Sequence, residues 1–155
     1  MKKLISLLVA MMLISSAGMT QKLSPQKVPQ NVRKAFTKQF PRATQIAWAM
    51  KDSAYNVNFL VEKIKYSAVF DKNARLLEKL TSMKVSDLPK EVKNALKKEF
   101  QGFKATEAEK LEKNNLVQYN VVISKKTEIL KVQVSPGGEV VSKETVPVPE
   151  VQKKK

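Results

Sequence analysis

The feature that most limits what this chain can fold into is a pattern that occurs twice, sixty residues apart. Residues 28–40 and 88–100 both follow the pattern apolar-Pro-x-x-Val-x-x-Ala-apolar-x-x-x-Phe. The apolar positions recur at the spacing of one helix face, and a first helical turn tolerates proline. Further along, residues 55–59 and 119–123 match at an offset of 64. The sequence therefore predicts two copies of one unit, with four extra residues in the second copy near residues 113–115.

Alternating apolar residues predict strands after each helix. Ile46, Trp48 and Met50 share one face of a first strand, and the same alternation continues to Phe70. In the second unit we expect strands near residues 105–111, 117–124, 128–134 and 139–143. The connections are too short for crossovers, which favours antiparallel pairing. The predicted class is α+β: two tandem helix-plus-antiparallel-sheet repeats, each with one helix packed on a sheet of three to four strands.

The N-terminus has the three parts of a cleavable signal peptide. Two lysines follow Met1, residues 4–14 are apolar except for Ser6, and small residues occupy 15–18. This apolar run is shorter than the roughly 20 residues that cross a bilayer, and no second run follows it. Cleavage after Ala17 or Gly18 would place the chain in the periplasm or outside the cell, without a membrane span.

These features divide the chain into five expected segments. They are a signal peptide at 1–18, a linker at 19–27, a first repeat at 28–84, a second repeat at 85–145 and a disordered basic tail at 146–155.

Charge and missing residue types narrow the function. The chain has 29 basic and 14 acidic residues, a formal net charge of +15, and removal of Lys2 and Lys3 leaves 27 against 14, or +13. This excess favours acidic proteins, anionic polymers or lipid head groups, although lysines spread along the chain also suit a solvated surface. Cysteine and histidine are absent, which removes the thiol nucleophile, the commonest general base and the soft metal ligands. We therefore expect no enzyme, cofactor or metal site.

The remaining chemical groupings are weak. Glu107, Glu109 and Glu112 are close in sequence, but alternation separates Glu112 from the other two, and a solvated strand edge accounts for them. Ser124 and Lys125 lie together at a hairpin end without a device to stabilise an oxyanion. Asp71 suits a turn.

One set of residues spans most of the chain: Val28-Pro29, Trp48, the Tyr55-x-Val57-x-Phe59 strand, Phe70-Asp71 and a second copy from Leu88-Pro89. In these residues the chain resembles the PepSY-like family of small exported bacterial proteins, described as similar to the β-lactamase inhibitor protein. The resemblance implies a helix on a multi-stranded antiparallel sheet in each unit, export, and docking of a target on the open sheet surface. No set of inhibitory residues can be transferred position by position. The second copy has no tryptophan at the position equivalent to Trp48.

We expect an exported, non-catalytic, inhibitor-like module that binds a protein partner through its exposed sheet face. The alternative is a basic envelope-associated protein that adheres to anionic polymer or lipid. Nucleic acid is not favoured, because the chain carries an export signal and lacks the aromatic-glycine signatures of RNA-binding domains. Trp48 is either a core residue or, on an exposed edge, an aromatic anchor for the partner. The other candidate contacts are polar positions on the outward strand face: Asn56, Asn58, Lys65, Gln118 and Asn120.

Overall fold

The computed structural model describes residues 21–147. The predicted signal peptide at 1–18 and the end of the predicted tail at 148–155 lie outside these residues. The described chain contains two α-helices of ten residues, nine strands, and two 3₁₀ turns at Pro25–Lys27 and Val85–Asp87. The elements are β1 (Gln21–Leu23), α1 (Gln30–Gln39), β2 (Thr44–Lys51), β3 (Ala54–Val61), β4 (Ile64–Phe70), β5 (Leu76–Met83), α2 (Lys90–Glu99), β6 (Lys104–Lys113), β7 (Leu116–Lys125), β8 (Glu128–Val134) and β9 (Val140–Thr145).

All nine strands belong to one antiparallel sheet in the order of the chain, from β1 to β9. The prediction of an α+β class with two tandem repeats, each with its own sheet, is therefore wrong. β5 pairs with β6 from Glu78 opposite Lys113 to Met83 opposite Ala108, and the fold is mainly β with two short helices. Two separate sheets would each leave an unpaired strand edge at this position. Joining the two edges satisfies those backbone groups.

The same pairing corrects the prediction of a solvated edge for the charged stretch 107–113. β6 is an interior strand between β5 and β7. Its charges pair with those of β5: Lys79 Nζ lies 2.6 Å from Glu112 Oε2, and Lys113 Nζ lies 3.1 Å from Glu78 Oε2.

Two apolar clusters lie under the two helices. Val32 and Phe36 of α1 pack on Trp48, Val57 and other residues of β2 to β4, whereas α2 packs on residues of β6 to β8. Pro29 and Pro89 directly precede the helices, as expected for residues that have no N–H to leave unpaired. The two clusters are separate because the middle of β5 and β6 carries polar side chains, such as Lys79, Lys110 and Glu112, on the side of the helices.

Tight two-residue hairpins connect β2 to β3 and β6 to β7. Asp52 and Ser53 at the first tip, and Asn114 and Asn115 at the second, have φ angles between 50° and 63°. Such angles suit the turn types whose twist matches that of paired strands. The strands of the β6–β7 hairpin are ten residues each, against eight for β2–β3. The second hairpin is therefore longer by two residues on each strand.

Candidate functional site

The sheet has one face covered by both helices and one face without a covering element. Strand register shows that both helices lie on the same side. Ala68 under α1 is opposite Lys79, Lys79 is opposite Glu112, and Val117 follows on the same face as Val121 under α2. We call the other side the open face.

The candidate residues from the sequence divide between the two faces. Because side chains alternate along a strand, the helix-facing positions of β3 and β7 place five candidates on the open face. The five are Asn56, Asn58, Lys65, Gln118 and Asn120. Trp48 instead points to the helix side, opposite Val57.

The position of Trp48 is fully explained by packing. Its side chain is 5% exposed, and its ring meets the Phe36 ring edge-on with centroids 5.3 Å apart. Trp48 therefore belongs to the core under α1 and has no free surface for a partner.

A shallow depression of about 330 Å³ lies on the open face. Asn58 and Lys65 line it, together with Leu80 of β5 and Glu109 of β6. The register brings these strands side by side, with Asn58 opposite Ser67 and Ser67 opposite Leu80. Two of the predicted residues thus lie in a depression that is lined by five neighbouring strands, β2 to β6.

Two leucines form the apolar centre of this face. Leu80 and Leu111 are opposite each other in β5 and β6. Leu111 is only 8% exposed, although it belongs to neither of the clusters under the helices. Neighbouring side chains of the open face, such as Leu80 and Gln118, therefore cover most of the Leu111 side chain.

Leu80 and Leu111 were not among the site residues predicted from the sequence. Leu111 stands in a run of charged residues, and the order Leu76, Leu77, Leu80 fixes no face for β5 by itself. The alternation of side chains along β6 could have predicted the face of Leu111, because it places Leu111 on the same face as Glu107 and Glu109.

The amides on the open face differ in their hydrogen bonding. Asn120 Oδ1 accepts a hydrogen bond from Gln133 Nε2 at 3.1 Å. Asn56 Oδ1 is buried and has no partner among the described residues. A buried acceptor without a partner lowers the free energy of unfolding, so Asn56 does not contribute to the stability of the chain by itself.

Carboxylates near the site do not form one cluster. Glu107 and Glu109 face the open side, whereas Glu112 lies on the helix side between Lys79 and Lys110. The Lys79 ammonium hydrogen-bonded to Glu112 holds the pKa of that carboxyl below its usual value, with a smaller contribution from Lys110. Among residues 21–147, no group of three or more acidic side chains is arranged to hold a metal ion.

Ser124 and Lys125 do not form a catalytic pair. Alternation places Ser124 on the open face and Lys125 on the helix side, where its Nζ donates to the carbonyl of Gln101 at 3.2 Å. The same ammonium lies 5.6 Å from the centre of the Phe103 ring. Lys125 therefore has a structural role on the opposite face from Ser124.

Solved structures similar to this chain share its fold. They include a DUF2874 family protein from Bacteroides uniformis (TM-score 0.70, 21% identity, 76% of this chain and 88% of that chain covered). A second, from Bacteroides eggerthii, is described as periplasmic (0.71, 21%, 76% and 88%). A third is a BLIP-like, that is β-lactamase-inhibitor-like, protein from Bacteroides fragilis (0.67, 23%, 80% and 88%). No family model and no curated protein matches the chain.

These similarities establish a BLIP-like fold and leave function to the site. They agree with the expected likeness to the β-lactamase inhibitor protein at the level of fold, while membership of the PepSY-like family stays a prediction. In the described part of the chain, neither helix is long and apolar enough to span a bilayer.

Proposed function

We propose that this chain is an exported, non-catalytic protein that binds a protein partner through the open face of its sheet. The observation that carries the proposal is the uncovered face of the sheet, with Leu80 and Leu111 paired at its centre and a rim of amides around them. Protein interfaces combine an apolar centre with a polar rim in this way. Asn58 and Gln118 flank the leucines along the sheet and supply uncharged donors and acceptors.

The charges of the open face also favour a protein over a polyanion. From β4 to β8 this face carries four lysines and three glutamates: Lys65, Lys104, Lys113, Lys131, Glu78, Glu107 and Glu109. A surface with both signs matches the mixed charges of a protein surface, whereas a polyanion would meet the glutamates with repulsion.

Inhibition is the form of binding we infer from the fold. A stable complex buries roughly 1,600 Å² in total, and a partner covered over such an area loses access to any active site beneath it. The similar structure described as BLIP-like supports an inhibitor, and the similar structure described as periplasmic supports export together with the predicted signal peptide.

The test is capture of the partner at low and high salt with matched variants. The tagged chain is incubated with envelope and secreted fractions of its own source, and retained proteins are identified. Asn58→Arg with Gln118→Arg adds two bulky charges to the open face. Gln30→Arg with Gln39→Arg adds the same charge to exposed positions of α1.

A stoichiometric protein that survives high salt, is retained by the α1 variant and is lost by the open-face variant supports the proposal. The purified partner then serves in an activity assay for inhibition. Equal retention by both variants would overturn the open face as the binding surface. Capture of anionic polymer or lipid alone, lost at high salt, would replace the protein partner by the envelope-adhering alternative.

A further inference from the structure

The positive charge of the described chain is concentrated on the two helices. Residues 21–147 contain 24 basic and 13 acidic side chains, a net charge of +11. The twenty residues of α1 and α2 contribute seven basic and two acidic side chains, or +5. The other 107 residues contribute only +6, so the helices carry several times the average charge per residue.

Six of the seven helical cations are exposed, and none of the seven forms an ion pair within the described residues. Arg33, Lys34 and Lys38 of α1 are exposed, as are Lys97 and Lys98 of α2. None of the seven helical cations lies within 4.0 Å of a carboxylate of the described residues, since the ion pairs there involve strand and turn residues. The helix side therefore carries unpaired positive charge, whereas from β4 to β8 the open face sets four lysines against three glutamates.

The arrangement of the cations suits an extended anionic surface. α1 covers the first half of the sheet and α2 the second, about four strand spacings apart, or roughly 19 Å. Salt at physiological strength screens charges beyond about 8 Å, so one small anion cannot interact with both helices. A partner that binds both helices must therefore carry negative charges spread over a surface at least as wide as the distance between them.

The apolar sides of both helices are already used. Val32 and Phe36 of α1, and Val92 and Leu96 of α2, are buried against the sheet. Neither helix can insert an apolar face into lipid, so contact with a bilayer is limited to head groups.

We propose that the outer surface of α1 and α2 is a peripheral docking site for a membrane rich in anionic phospholipid. Basic residues next to such a surface each add to the attraction, and the attraction decreases within a Debye length. Binding is reversible, depends on both helices and weakens with salt.

The test is co-sedimentation of the processed chain, as recovered from cells, with two kinds of vesicle. One contains phosphatidylcholine alone, and the other contains phosphatidylcholine with phosphatidylglycerol. The helix variant reverses Lys34, Lys38, Lys97 and Lys98 to glutamate. The control variant reverses the exposed open-face lysines Lys22, Lys51, Lys65 and Lys131 and has the same net charge and the same termini. Circular dichroism establishes that both variants are folded.

We expect binding to the anionic vesicles only, lost at high salt, and weakened about 100-fold or more by the helix variant. The control variant retains most of the binding. Equal weakening by both variants would show that total charge decides, which overturns the helix surface as the site. Equal binding to neutral vesicles, no binding to either kind, or binding to soluble polyphosphate without binding to vesicles would each overturn the proposal. None of these outcomes affects the open face as a protein-binding surface.

Discussion

Replacing Trp48 with alanine separates the two roles that the sequence allowed for this residue. The indole is 5% exposed under α1, and Phe36 contacts it edge-on at 5.3 Å. Its removal leaves a cavity that the rigid sheet cannot close. Truncations of this kind cost about 3–5 kcal/mol, of which about 1 kcal/mol reflects the aromatic contact. Because small domains are stable by only about 5–15 kcal/mol, we expect a large decrease in the free energy of unfolding.

The assay is denaturant unfolding followed by far-ultraviolet circular dichroism, because Trp48 is the sole tryptophan and the variant has no indole fluorescence. Trp48→Phe keeps an aromatic ring against Phe36 and should lose less stability than the alanine variant. Val141→Ala, at a side chain that is 49% exposed, is the control and should change the free energy by less than about 0.5 kcal/mol.

One result would refute this reasoning. If Trp48→Ala unfolds like the control but no longer retains the partner protein, the indole is a binding anchor and does not stabilise the core. If Trp48→Ala is less stable but still retains the partner under conditions where the variant is folded, the indole has the packing role.

Three further predictions concern the turns and the open face. Gly138→Ala should lower the free energy of unfolding by about 1–3 kcal/mol, because φ is +87° and the new Cβ would lie 2.8 Å from the Glu91 carbonyl oxygen. The backbone N–H of Arg75, which donates to Asp71, is the main cause of the lowered pKa of that carboxyl. The ionised Asp71 carboxylate therefore stabilises the fold above the ordinary pKa of an aspartate, and this stabilisation is lost as pH falls through the lowered pKa. Asp71→Asn should therefore reduce the dependence of the free energy of unfolding on acid pH. Asn56→Val should raise the free energy of unfolding by about 1 kcal/mol, because it removes a buried acceptor without a partner; each change is measured by denaturant unfolding.

Neighbouring positions provide the controls. Gly137→Ala places its Cβ no closer than 3.8 Å to the Ser135 hydroxyl and should be tolerated, so equal losses at both glycines would contradict the steric argument. Asn120→Val leaves Gln133 without its acceptor and should destabilise the fold, opposite to Asn56→Val. An Asp71→Asn variant with the acid dependence of the parent would show that other carboxyls dominate.

Local pattern was sufficient to locate most of the elements. The second-half strands were expected at 105–111, 117–124, 128–134 and 139–143, and the observed bounds differ by at most two residues. Alternation and proline position act within a few residues of the chain, so a single sequence displays them.

The fold class was wrong because it depends on pairing between strands far apart in the chain. Nothing in β5 or in residues 107–113 alone indicates that Lys79 pairs with Glu112 and Glu78 with Lys113. Without that pairing, charged residues in β6 suggest a solvated edge. With it, they stabilise the middle of one sheet between two cores.

The candidate site could be predicted from the sequence only as far as it depends on local pattern. Alternation placed the amides of β3 and β7 outward, and the register confirms that they share the open face. It could not indicate that Leu80 and Leu111 meet at the centre, because their contact again depends on the β5–β6 junction. The sequence alone could not show which way Trp48 points, because that depends on which side of the sheet α1 covers.

The two proposed surfaces lie on opposite faces of one sheet, and this arrangement has a consequence of its own. A chain held to lipid by α1 and α2 would present Leu80, Leu111 and the surrounding amides away from the bilayer. Partner binding and lipid binding should then be independent, so the affinity for the partner should be the same with and without anionic vesicles. If vesicles instead displace the partner, the two share a surface, and one of the two assignments is wrong. The open-face and helix variants identify which, because only the variant on the shared surface would affect both ligands.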